Sequence, residues 1–173
     1  MTRTNPLSVN DIASLASNIR KEYNIKNDEA FPILRILSNL HDNGLLSLQI
    51  LEDSDPYFDS KTIAKYNRLD NFIYIKESVI NDYENGIYHS NFTLAHEFFH
   101  FIQSQILNFD FEEVESCKAY EDVEWQANEF AGELLIPTEY VDLDEFEVAK
   151  KFKVTIECAL LRKLKYKQRK ERK

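Results

Sequence analysis

The sequence predicts an α+β fold, mostly helical, with a small antiparallel sheet. Three observations carry this expectation. The 173 residues are 43% hydrophobic and 29% charged, the balance of an ordinary globular chain long enough to bury a core without staples. Apolar residues recur at three-to-four spacing over much of the length, the period of amphipathic helices. The strand-like runs cluster between residues 45 and 76, giving the order α-α-β-β-β-α-α-α-α.

Residues 8–23 read as the first helix, with Ile12, Leu15, Ala16 and Ile19 on one face and Ser8 or Asn10 as cap. Pro32 opens a second helix, Ile33 to His41, which Asn43-Gly44 stops. The apolar run 45–51 (LLSLQIL) is strand-like. Residues 61–67 and 71–76, divided by Asp70-Asn71, look like a strand pair or hairpin, and Asp82 to Asn91 reads as a loop around Gly86. Thr93 to about Leu107 is strongly helical. Val123 to Leu135 is a helix ended before Pro137. Two short helices are expected from Asp144 to Lys173, with Thr155 capping the last. The expected organisation is a main domain over 1–143 and a helical C-terminal extension over 144–173.

Composition excludes several classes of function. Two cysteines, Cys117 and Cys158, rule out a disulfide framework and favour a reducing, cytoplasmic setting. No run approaches the ~18 apolar residues of a membrane span, and the opening residues lack the apolar stretch of a secretion signal. Three glycines leave no phosphate-cradling loop. The net charge of -9 divides unevenly: residues 162–173 carry +7 and the remainder -16. An acidic body repels nucleic acid, so direct binding to it is disfavoured. The basic run RKLKYKQRKERK reads as a solvated helix end, where cations suit the helix dipole.

The chemistry lies in His96-Glu97-Phe98-Phe99-His100, an H-E-x-x-H string on a predicted helix. Residues four apart sit one turn above each other, with Cβ atoms about 5–6 Å apart, so two imidazoles can hold one Zn²⁺. Glu97 stands beside the first of them, where it can reach an activated water. The surrounding residues are apolar, and a metal satisfies two histidines that burial otherwise penalises. A third ligand is needed. Positions 103 and 106 are Gln and Ile, so no third histidine follows in register. A carboxylate from the acidic stretch 110–147 is the natural substitute. Glu124 is favoured, because it shares a helix face with Ala127 and Ala131, and Asn128 one turn on can orient a histidine. Glu121 and Glu129 are its rivals, although Glu129 points off that face.

Two blocks, FTLAHEFFHFIQ (92–103) and EWQANEFAGELLIP (124–137), resemble the ImmA/IrrE family of zinc metallopeptidases. The segment FKVTIECALLRKLKY (152–166) is similar to the helical end that often follows, and the likeness extends over roughly 60–166. The resemblance implies a zincin-like metallopeptidase domain holding one Zn²⁺ per chain. It implies His96, His100 and Glu124 as ligands and Glu97 as catalytic base. Phe99 departs from the family's usual Gly, and His89-Ser90-Asn91 stands where a basic residue is common. Tyr88, His89 and Tyr120 are candidates for the oxyanion donor by nearness in sequence alone. The family resemblance further implies a helix-turn-helix repressor of a phage or integrative element as protein substrate, an anti-repressor role. Its acidic body suits docking to a basic DNA-binding protein. Two other readings compete: a zinc-stabilised module that sequesters a repressor or antitoxin-like partner without cutting it, and a DNA-contacting regulator using the basic helix.

Overall fold

The structure, a computed structural model, describes residues 1–171; positions 172 and 173 of the basic run lie outside the described residues. The elements in order are β1 (Thr2–Thr4), α1 (Val9–Glu22), α2 (Ile33–Asp42), β2 (Ser47–Leu51), β3 (Ala64–Asn67), β4 (Phe72–Lys76), α3 (Glu77–Glu84) and α4 (Asn91–Phe101). A π-helical turn, Ile102–Ile106, continues α4, and β5 (Phe111–Glu113), α5 (Val123–Leu135), α6 (Glu145–Phe152) and α7 (Ile156–Glu171) complete the chain. The α+β class is the one the sequence predicts.

Local chemistry explains most boundaries. Ser8 caps α1 in a reciprocal box: its hydroxyl accepts the Asp11 N–H at 3.2 Å, and the Asp11 carboxylate accepts the Ser8 N–H at 2.9 Å. Asp122 caps α5 by accepting the Trp125 N–H at 2.6 Å. Thr155 starts α7, its hydroxyl accepting the Cys158 N–H at 3.1 Å. Asn71 turns the β3–β4 hairpin with φ of 59°, a left-handed conformation that asparagine tolerates.

Three features depart from the sequence reading. Residues 77–84 form α3 where the loop around Gly86 was expected to begin at Asp82; Val79 is its one buried side chain, too faint an apolar stripe to signal a helix. The three-stranded sheet has order β2-β4-β3, and β2 runs parallel to β4 while β3 is antiparallel to it, so the sheet is mixed. An apolar run shows that a strand exists, but its direction depends on the path of residues 52–63. A second ribbon pairs β1 with β5 in antiparallel register, Thr2 opposite Glu113 and Thr4 opposite Phe111. Three-residue strands a hundred positions apart carry no local signal.

The core centres on α4 and α5. Phe99 stacks on Phe130 with ring centroids 4.4 Å apart, and Leu94, Ala95, Ala127, Ala131 and Leu134 are fully buried. The ring at position 99 thus fills the space between the two helices. Helix α1 lies against α5, α2 against α4, and β3 across α4. Buried Arg20 closes the C-terminal end of α5. It donates to Leu134 O at 2.7 Å and to Lys26 O and Glu29 O, each at 2.5 Å, so a cation meets the carbonyl end of a helix.

Helix α7 corrects the expectation of a solvated basic end. Arg162, Lys165 and Arg169 turn inward to Glu129 and Glu133 on α5. Those two carboxylates are 3% and 5% exposed at the side chain, which explains why a strongly acidic helix can be buried. Lys163 pairs separately with Glu145 at 3.4 Å and donates to Leu143 O at 2.9 Å, so four side chains of the basic run are committed to intramolecular contacts.

Candidate metal centre

Helix α4 delivers His96 and His100 to the same side, one turn apart. Their Nε2 atoms stand 2.9 Å apart, with the rings nearly perpendicular at 82°. Helix α5 crosses beside them and brings Glu124 to the open side. One Glu124 oxygen lies 3.1 Å from His96 Nε2 and the other 3.5 Å from His100 Nε2. Of the sequence's three acidic candidates, Glu124 alone closes this triangle. Glu121 is drawn back to the Lys118 N–H at 3.3 Å, and Glu129 faces α7.

Glu97, about 100° round the helix from His96, occupies a different position. Its Oε2 accepts the Tyr66 N–H of β3 at 2.7 Å. The donor atoms of His96, Glu97 and His100 all lie within 4.8 Å of one another, so Glu97 adjoins the same point in space while being tethered elsewhere. Strand β3 is the edge of its sheet, and Tyr66 turns its N–H away from β4 toward the centre. No signal in the sequence pointed to Tyr66, because its contribution is a main-chain group.

The histidines are held from behind. His96 Nδ1 meets Asn128 Oδ1 at 3.2 Å, as the one-turn spacing from Glu124 suggested. His100 Nδ1 meets Gln103 Oε1 at 3.1 Å. Gln103 and Gln126 are fully buried and were missed at the sequence level; their one mark there is a polar residue on an otherwise apolar helix face.

Electrostatics follow from burial and crowding. Burial raises the Glu97 carboxyl to about 7, against the opposing pull of the Tyr66 N–H and His96, with Glu124 adding repulsion. Burial lowers His100 to about 4, and proximity to His96 works in the same direction. Burial alone would lower His96, but its hydrogen bond to Glu124 and the charges of Glu97 and Glu124 outweigh it, and the net shift is upward. The His96 hydrogen bond holds Glu124 below its usual range. Two nitrogens and a carboxylate converging on one point, with the far nitrogens engaged by amide oxygens, fit a divalent cation of the zinc type.

The site opens into a cleft of about 650 Å³. Its walls are β3 (Lys65, Tyr66, Arg68), the β1–β5 ribbon (Thr2, Phe111, Glu113) and the start of α5. Arg68 lies over the Phe111 ring at 4.2 Å. Tyr88, His89 and Tyr120 do not line it, which overturns their candidacy as oxyanion donors. Tyr88 is engaged by Lys153, His89 faces Asp82 at 3.6 Å, and Tyr120 is 40% exposed elsewhere.

Residues 64–163 match the family pattern of the IrrE N-terminal-like domain of the M78 peptidases. The chain belongs to the ImmA/IrrE family. The matched span includes β3, both histidines, Glu124 and the first half of α7, so it covers every residue lining the cleft except Thr2 and Thr62. Among solved structures, a Mycobacterium tuberculosis transcriptional regulator is similar in fold, with a TM-score of 0.55 at 15% identity. The alignment covers 87% of this chain and 45% of that one, so the ImmA/IrrE chain spans less than half of the regulator's length. No curated protein matches the sequence. No helix among the described residues is long and apolar enough to cross a membrane.

Proposed function

We propose that this ImmA/IrrE chain is a zinc-dependent endopeptidase that cleaves a regulatory protein. In this reading His96, His100 and Glu124 hold the zinc, and Glu97 is the catalytic base. The observation that carries it is the convergence of two Nε2 atoms and the Glu124 carboxylate beside a cleft, with Glu97 adjacent but separately tethered. Zinc held there supplies Lewis acidity and brings the pKa of water toward neutrality.

The chain's own groups perform the remaining steps. Glu97 takes a proton from the attacking water and passes it to the leaving nitrogen. The Tyr66 N–H holds one carboxylate oxygen and so fixes the direction of the other. Apart from the Tyr66 N–H, which Glu97 holds, the outer edge of β3 offers its main-chain groups to an extended peptide, the geometry of strand addition. Lys65 and Arg68 replace the three discarded residues as candidates for countering negative charge on the scissile carbonyl.

The substrate proposed is a helix-turn-helix repressor of a phage or integrative element. The family resemblance suggests that class of partner, and the -16 carried by residues 1–161 favours a basic DNA-binding protein. A cytoplasmic site of action accords with such a target. The test is co-incubation of the purified chain with the repressor encoded beside it. Wild type should cleave in the presence of zinc, and Glu97→Gln should keep the metal while losing cleavage. A Glu97→Gln protein that still cuts overturns the assignment of the base. One that cuts nothing yet still relieves repression favours sequestration over proteolysis.

A further inference from the structure

Behind His100 runs a chain of buried amides whose direction is decided at its far end. Gln126 Nε2 lies 2.8 Å from both Asn5 O and Tyr120 O. Main-chain carbonyls only accept hydrogen bonds, so this end of Gln126 must be its NH₂ group. Its Oε1 therefore points the other way, 2.8 Å from Gln103 Nε2. Gln103 must donate there, which leaves its Oε1 as the group 3.1 Å from His100 Nδ1. An amide oxygen cannot donate, so His100 carries its proton on Nδ1 and presents a lone pair at Nε2. Both glutamines are fully buried, where amide hydrogen bonds are strong and an unpaired amide is costly.

We propose that Gln126 and Gln103 form a directional amide relay that fixes the tautomer of His100 and keeps its Nε2 lone pair aimed at the metal position. Both are positioning residues; neither touches substrate. The relay begins at Asn5, just past β1, and β1 lies in the ribbon that walls the cleft. Seating of the N-terminal segment and readiness of a metal ligand are thus the same hydrogen-bonded unit. The π-helical turn Ile102–Ile106 carries Gln103, and this widened turn departs from α-geometry at the residue that the relay needs.

The inference rests on the reading of His100 as a metal ligand, not on peptide cleavage. Its test has two independent arms. In the first, long-range ¹⁵N–¹H correlation spectra of metal-free protein at pH 8 report the His100 tautomer. The Nδ1–H form is expected in wild type, and an Nε2–H form overturns the relay whatever the metal does. In the second, zinc affinity is measured by competition with a chromophoric chelator, with circular dichroism confirming that each variant is folded. Gln103→Met removes the acceptor at nearly constant volume and should weaken zinc binding about 10- to 100-fold, as loss of a partner behind a metal-bound histidine does.

Gln103→Glu is the discriminating variant. Buried against the Gln126 oxygen, the new carboxyl is held protonated; it then donates to Gln126 Oε1 and still offers an acceptor to His100 Nδ1–H, so affinity should stay within about threefold of wild type, well short of the 10- to 100-fold loss. If it falls as far as Gln103→Met, the glutamine acts through packing and the relay is overturned. Gln126→Met leaves Gln103 undirected; a mixture of His100 tautomers and a smaller loss of affinity are expected, and unchanged spectra remove Gln126 from the relay. A wild-type chain that binds no zinc overturns the metal reading, while the tautomer measurement still decides the direction of the amides.

Discussion

The ion cluster joining α5 and α7 yields a stability prediction that can be worked through. Arg162 and Glu133 form a pair with side chains 3% and 5% exposed. Arg162 Nε also donates to Ile136 O at 3.3 Å, and Nη2 to the Thr138 hydroxyl at 3.0 Å. Arg162→Met keeps most of the volume and strips the charge, leaving the Glu133 carboxylate buried. Breaking a buried pair from one side costs about 3–5 kcal/mol. Glu133 keeps two partners, the Thr138 hydroxyl at 3.1 Å and Arg169 Nη1 at 3.7 Å. The expectation is therefore the lower end, about 3 kcal/mol. In urea denaturation at pH 7 this lowers the midpoint by about 1.5 M for an m-value of roughly 2 kcal/mol/M. The double variant Arg162→Met/Glu133→Leu removes both charges and should recover to within about 1 kcal/mol of wild type, because an apolar pair of similar volume replaces a buried ion pair at little cost. A single variant costing under about 1 kcal/mol, or a double variant as unstable as the two singles added together, refutes the reasoning.

Three further outcomes follow from the same structure. Burial would raise Glu129, but Lys165 and Arg169 outweigh it and its carboxyl is held below the ordinary 4.5; its contribution to stability is therefore present above that value and is lost as pH falls further, so Glu129→Gln should flatten the acid limb of a stability–pH profile. Burial raises the Cys158 thiol to about 11, so iodoacetamide at pH 8 should leave it unmodified in native protein and label it on unfolding, as mass spectrometry of the peptide would show. Chelation should lower the melting temperature of zinc-loaded protein, since zinc at 100 times its dissociation constant adds about 2.7 kcal/mol to the folded state; Glu124→Ala should shrink that difference, and an equal shift in both proteins would remove Glu124 from the ligand set.

What the sequence by itself determined was whatever depends on neighbours within about four residues. His96 and His100 fall on one helical face because of their spacing, and Ser8, Asp122 and Thr155 cap helices because their side chains reach N–H groups two or three residues on. Glu124 was legible because a carboxylate, a small residue and an asparagine recur on one face of an apolar helix. Tertiary structure alone decided what depends on distant partners. It made β2 parallel to β4, closed the cleft with the β1–β5 ribbon, and placed Lys65 and Arg68, rather than Tyr88, His89 or Tyr120, on its wall. It also turned the basic side chains of α7 inward onto Glu129 and Glu133 and lined Gln103 and Gln126 up behind His100. The physical reason is common to all of these: strand direction, charge pairing and amide orientation are settled by groups 20 to more than 100 positions away, and a residue type records what a side chain can donate or accept without recording what it will meet.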